Sequence, residues 1–207
     1  NETIRDIYDG KLYKEILEEG LLSDNRDIVF SASLDRYQIF EQQRDDCWVI
    51  LMINNNLLPE IRVKKENLLV VAIIPGPKQP KNFNTFMRPL INELKQLEEG
   101  ILCWDAVTNE NFTLHAHVIF WCGDIPAISK LMYITGHNSY MGCRFCDIRG
   151  IISGEPNKNH VYYPLIPPSG RKLPIYNLDN LPLRTHKSYL EKIKEYENQV
   201  FDTGRKR

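Results

Sequence analysis

A Pro-Gly-Pro triplet at Pro75, Gly76 and Pro77 separates two regimes of hydrophobic spacing, and this change of period constrains the fold most. Before it lie three apolar runs of strand length, at 28–35, 47–53 and 68–74, rich in Val and Ile. Proline fixes its own backbone angle and supplies no ladder donor, so the triplet stops the third run. After it, Phe83, Phe86, Met87, Leu90, Ile91, Leu94 and Leu97 recur at three and four residues, one apolar stripe on a helix. Asn82 or Asn84 can cap its start and Gly100 can end it, while Pro89 predicts a kink or a division in two. Phe112, Leu114, Ala116, Val118 and Phe120 then alternate with other residues, predicting one strand over 112–121 that runs into Cys122-Gly123-Asp124. Residues 125–134 read as a short helix with Pro126 in its first turn. The expected order is strand, strand, strand, helix, strand, helix.

A three-strand meander followed by a helical crossover can lay the fourth strand parallel beside the first. Asp35 ends the first strand and Asp124 the fourth, so the two carboxylates are expected at one edge, about 5 Å apart in the sheet. Carboxylates that close repel unless a divalent cation sits between them. An all-oxygen pair suits Mg²⁺ or Mn²⁺, which can activate a water or hydroxyl and steady the leaving oxygen at a phosphodiester. A plainer reading stands beside it. A strand-ending aspartate often makes a turn or caps a helix, and Asp124 precedes Ile125-Pro126-Ala127 as a cap would.

The chain reads as four stretches: a leading helical segment at 1–26, a core at 27–135, a Cys/His-containing, proline-rich extension at 136–185, and a charged helix and tail at 186–207. Six of the 12 prolines fall between 155 and 182, so irregular, surface-wrapping chain is expected there. At 43% apolar and 26% charged residues the composition is that of a globular protein, which argues against disorder. No stretch approaches the roughly 18 uncharged residues that a membrane helix needs, and no basic-apolar leader opens the chain. Asn1 rather than Met stands first, and the sequence reads as a piece of a longer protein. The net charge of −1 is unevenly spread: residues 155–207 hold 10 Lys and Arg against 6 Asp and Glu, compatible with nucleic acid.

Of five cysteines only Cys143 and Cys146 lie close together, which suits a reducing compartment and a metal rather than a disulfide framework. With His137 before them and His160 after, they spell His-x5-Cys-x2-Cys-x13-His, four ligand types for tetrahedral zinc. Such a staple would hold chain that has little core of its own. His137 could equally be a hydrogen-bonded loop residue. His115 and His117, on one face of the fourth strand, read as satisfied histidines beneath a helix. Cys47, Cys103 and Cys122, with Trp48, Trp104 and Trp121, read as core. Lys78 and Lys81 could hold a phosphate, but two lysines are a small footprint and a strand-to-helix turn is the favoured reading.

Taken in order, the strings resemble a known family. Leu34-Asp35 with Phe40, then Trp48-Val49-Ile50, then Asn56-Leu57-Leu58-Pro59 with Arg62 look like the opening of a CACTA-type (En/Spm) transposase domain of plants and fungi. Ile74 to Pro80, then Phe86-Met87-Arg88-Pro89-Leu90 and Glu93-Leu94, are similar to that family's most recognisable block. Gly123-Asp124-Ile125-Pro126-Ala127, Gly136-His137 and Cys143-Arg144-Phe145-Cys146 complete the series, over about residues 28–165. The resemblance implies a ribonuclease H-like α/β fold and a DDE/D-type active site whose first two acids match Asp35 and Asp124. It further implies Mg²⁺ or Mn²⁺, double-stranded transposon-end and target DNA, a homo-oligomeric synaptic complex and a nuclear location. The first acid is commonly followed by glycine in that family, where this chain has Arg36. The third acid lies further downstream there, beyond an insertion; Glu191, Glu195 and Glu197 arrive too early. The alternative expectation is an inactive or domesticated transposase remnant that binds DNA or protein through the zinc-stapled segment; a related nuclease is the third.

Overall fold

The computed structural model describes residues 3–38, 46–76, 80, 82–136, 138–153 and 160–204, with side chains as far as 195. The readings at Phe40, Pro77, Lys78, Gln79, Lys81, His137 and the side chain of Glu197 lie outside the described residues. The chain forms two compact units, Asn1–Ile128 and Ser129–Arg207.

In the first unit a 3-10 turn (Ile7–Asp9) leads to α1 (Lys11–Glu18), β1 (Ile28–Gln38), β2 (Asp46–Asn54), the short α2 (Pro59–Arg62) and β3 (Leu68–Pro75). Next come α3 (Phe83–Glu99), β4 (Ile101–Asp105), β5 (Glu110–Leu114), β6 (Ala116–Gly123) and the start of α4 (Ile125–Leu131), which crosses the division after Ile128. Among the described residues four strands make one mixed sheet in the order β3-β2-β1-β6, with β1 antiparallel to β2 and parallel to β6. This is the meander plus crossover that the order of apolar runs predicts. The period of two gives the sheet a buried face: Phe30, Ala32 and Leu34 of β1 lie beside Trp48, Ile50 and Met52 of β2. Phe83, Met87 and Leu90 are the buried stripe of α3, and the Phe83 ring meets Trp48 edge-on at 6.1 Å. Each fully buried side chain of this size contributes about 2 kcal/mol.

The Asn82 side chain caps α3 by accepting from Asn84 N at 3.0 Å. Gly100 ends it at φ +102°, a conformation that favours glycine, and a Cβ there would lie 2.6 Å from Thr113 Cγ2. Pro89 does not divide the helix, which runs unbroken to Glu99.

The single strand expected over 112–121 is two strands. β5 pairs with β4 in a separate hairpin, and β6 joins the main sheet. The break is at His115, whose N–H donates to the Asp27 carboxylate at 2.9 Å while its carbonyl accepts from Ile28 N. His115 and His117 therefore do not share one strand face. Trp104 on β4 is 58% exposed and Cys122 on β6 is exposed, against the expectation of core; Cys47 and Trp48 are buried as expected.

Asp27 locks the entry to β1. Its carboxylate also accepts from Ser23 N and Asp24 N, both at 2.8 Å. Burial pushes this carboxyl up, but the N–H donors of Asp24, His115 and Ser23 and the neighbouring His115 ring outweigh it and hold it below its ordinary value. Asn56 bonds Val29 N and Asp27 O, and the buried Asn55 amide donates to Ser31 Oγ. Arg62 pairs with Asp6 at 2.6 Å and Tyr8 OH donates to Asn55 O, which fastens the leading segment.

In the second unit β7 (Ile151–Ile152) and β8 (Val161–Tyr162) form a two-residue ladder, a 3-10 turn covers Leu178–Asn180, and α5 spans His186–Gly204.

Candidate active site

The β1–β6 ladder begins with Ile28 opposite Ala116 and shifts by one residue between Phe30 and Ser31, leaving Ile119 as an extra residue in β6. Beyond that bulge Leu34 pairs with Gly123. Asp35 follows Leu34 within β1, which continues to Gln38 rather than ending at the aspartate as expected, and Asp124 follows Gly123 just past the end of β6; neighbouring strands run about 4.8 Å apart. Gly123 lets the strands and α4 close up: a side chain there would begin 2.7 Å from Leu34 O and 3.1 Å from Ala127 Cβ.

Both carboxylates are exposed. Asp35 Oδ1 accepts from Arg36 N at 2.7 Å, and Asp124 Oδ1 accepts from Ala127 N at 2.7 Å. The capping role of Asp124 is thus real and occupies one oxygen. Among the described residues Oδ2 of each aspartate accepts no hydrogen bond, so each keeps an oxygen available at the same sheet edge. The donor set is oxygen alone, which fits a hard cation such as Mg²⁺ that binds through one or two carboxylates and keeps several waters. Among the described residues no third His, Cys, Asp or Glu completes a metal-holding group. Glu191 and Glu195 are exposed on α5. Arg36 does not neutralise the edge. Alternation turns it to the other face, where its guanidinium pairs with Asp46 of β2.

In the second unit Cys143 Sγ and Cys146 Sγ lie 3.3 Å apart. Their turn is held by Arg184, which sequence spacing does not single out. Its guanidinium donates to Cys143 O and Met141 O, both at 2.8 Å, and pairs with Asp147 at 2.9 Å. Its backbone N–H donates to Phe145 O, and Lys192 also pairs with Asp147. Burial pushes both thiols up. At Cys143 the bonds from Cys146 Sγ and from the Phe145 and Cys146 amides, with the Arg184 charge, reverse this and lower it; Cys146 stays raised. His160 is exposed, and its carbonyl accepts from Ser153 N. His137, one of the four expected zinc ligands, lies outside the described residues, and among those described Cys143, Cys146 and His160 do not form a metal-holding group. A cavity of about 320 Å³ opens at the start of α5 between Leu131, Met132, Thr185, His186 and Tyr189, with a mostly apolar lining.

A mixed four-stranded sheet, with β1 antiparallel to β2 and parallel to β6, together with its helices defines an α/β protein. The model of transposase family tnp2 matches residues 1–163, and the chain belongs to that family. No curated protein and no solved structure matches it.

Proposed function

We propose that this chain carries the first two acids of a DDE/D-type transposase of the CACTA (En/Spm) kind, built on a ribonuclease H-like core. The observation that carries the reading is the register that pairs Leu34 with Gly123, the residues just before Asp35 and Asp124. Membership of the tnp2 transposase family supports it. Asp35 and Asp124 would hold Mg²⁺ or Mn²⁺ through the oxygens that the Arg36 and Ala127 amides leave open. When bound, such an ion activates a water or a 3′-hydroxyl and stabilises the departing oxygen of a phosphodiester. The chain's own contribution is to keep two charges in one register: the Ala127 N–H orients one, the Arg36 N–H the other, and Gly123 allows the strands to meet. The DNA partners of this reading are transposon ends and target duplex, in the nucleus and in an oligomeric synaptic complex.

A second component of the reading concerns the extension. Cys143 and Cys146 would supply two thiolates to zinc, with His137 and His160 as the remaining ligands by spacing. Support comes from the 3.3 Å approach of the two sulfurs and the lowered Cys143 thiol.

The test is cleavage of duplex bearing transposon ends by the full-length parent protein in Mn²⁺. Asp35→Asn and Asp124→Asn are each expected to reduce strand cleavage by at least about 10³-fold, as befits loss of a metal-binding catalytic group. Cleavage that survives both substitutions contradicts the assignment.

A further inference from the structure

The Pro-Gly-Pro block has no part in the site as described, yet Gly76 sits against a residue that does. A Cβ on Gly76 would fall on the backbone oxygen and carboxylate of Asp46, and 2.8 Å from its carbonyl carbon. Asp46 in turn pairs with Arg36, the residue after Asp35. Three strand ends are thereby chained in order, β3 to β2 to β1, and the chain of contacts ends one residue from the first acid.

The need for such a chain follows from the register. β6 stops at Gly123, opposite Leu34, so among the described residues the ladder of Asp35, Arg36 and Tyr37 runs on one side only, to Val49, Trp48 and Cys47 of β2. A strand end held on one side opens more readily than one held on both. Arg36 and Asp46 are diagonal neighbours across that last stretch, and the Asp46 side chain is only 16% exposed, which screens the pair less than an open surface would. Because Arg36 faces away from Asp35, the pair anchors the strand without supplying a counter-charge to the metal edge.

We propose that Arg36, Asp46 and Gly76 form a buttress that positions Asp35, and that holding this contact is the task of the glycine in the Pro-Gly-Pro block. Arg36 and Asp46 are positioning residues here. The proposal rests on the metal-site reading for what is positioned, but not for the buttress itself.

Two readouts on the same chain decide it: hydrogen exchange of the amides at 35–38, and Mn²⁺ affinity by calorimetry. Arg36→Ala and Asp46→Asn are expected to speed exchange at 36–38 and weaken Mn²⁺ binding on the order of tenfold, the usual effect of losing a partner that orients a ligand. Arg36→Lys and the exchanged pair Arg36→Asp/Asp46→Arg are expected to restore both readouts. Gly76→Ala is expected to act like Asp46→Asn; should it fail to fold, the other variants still decide. Unchanged exchange in folded Arg36→Ala and Asp46→Asn, or no recovery in the exchanged pair, overturns the buttress. If the wild type binds no Mn²⁺, the metal-site reading falls while the exchange measurement still decides the buttress.

Discussion

Leu34 and Gly123 are partners in the parallel β1–β6 ladder, one residue before each aspartate, because β6 carries one extra residue, Ile119. Without that bulge the partner of Leu34 would be Cys122, and Asp124 would lie one position out of step. Inserting one alanine after Phe120 moves Asp124 one position out of step, and is expected to leave the sheet signal in circular dichroism in place and to weaken Mn²⁺ binding at least about tenfold, since a one-residue slip reverses side-chain facing. Wild-type affinity in the insertion variant contradicts the importance of the register.

Gly123 is tight on two sides at once, against Leu34 O and Ala127 Cβ. Gly123→Val is expected to cost about 1–3 kcal/mol in urea unfolding, through forced separation of β6 from β1 or α4. Asp124→Ala and Asp124→Asn separate the cap from the carboxylate. Alanine loses the bond from Ala127 N and about 1 kcal/mol, while asparagine keeps a capping oxygen and most of that stability.

Asp27 sets an acid limit on the first unit. Its carboxyl is held below the ordinary 3.8, so the stability it contributes is complete above that value and is lost as pH falls through the lowered one. Urea midpoints of the wild type are expected to drop on acidification below about pH 4, because the unfolded chain then binds more protons. Asp27→Asn is expected to be less stable at pH 7 by about 2 kcal/mol and to show a shallower acid slope, since its amide cannot satisfy three backbone donors as a carboxylate does. An acid slope identical to the wild type in that variant contradicts the role given to Asp27.

The thiols of the second unit are unequal. In metal-free protein Cys143 is expected to react with iodoacetamide at a lower pH than Cys146, because its thiolate is favoured and that of Cys146 is not. Arg184→Ala leaves the carbonyls of Met141 and Cys143 without their donor, and is expected to cost about 2 kcal/mol and to raise both thiols, since its charge favours both thiolates. Equal pH profiles for both cysteines in the wild type contradict the splitting of the pair by the Cys143–Cys146 sulfur bond.

Much of this architecture was legible in residue order. Strand-length runs before Pro75 and a single helical stripe after it define the meander and the crossover. Asp124 directly follows β6 as expected, whereas Asp35 does not end β1, which pairs on with β2 as far as Gln38. The break between β5 and β6 was not legible, because apolar alternation continues from Leu114 to Ala116 and the residue that interrupts the ladder, Asp27, lies 88 positions away from His115. β4 escaped for a different reason. Its outward Leu102 and Trp104 are exposed, so no inward-outward contrast marks it. Pro89 carried a strong local signal for a helix break, yet Phe83, Met87 and Leu90 pack on both sides of it and the helix continues. Arg36–Asp46 and Arg184–Asp147 are contacts between separate segments, and spacing alone carries no trace of them.

The most direct test of the central claim is Mn²⁺ binding to this chain, followed by electron paramagnetic resonance in the wild type, Asp35→Asn and Asp124→Asn. A saturable site lost in both variants, with circular dichroism unchanged, is the result expected of two carboxylates sharing one ion at the β1–β6 edge. Binding that either variant retains at wild-type affinity would contradict a shared site and leave the two aspartates as a strand residue and a helix cap.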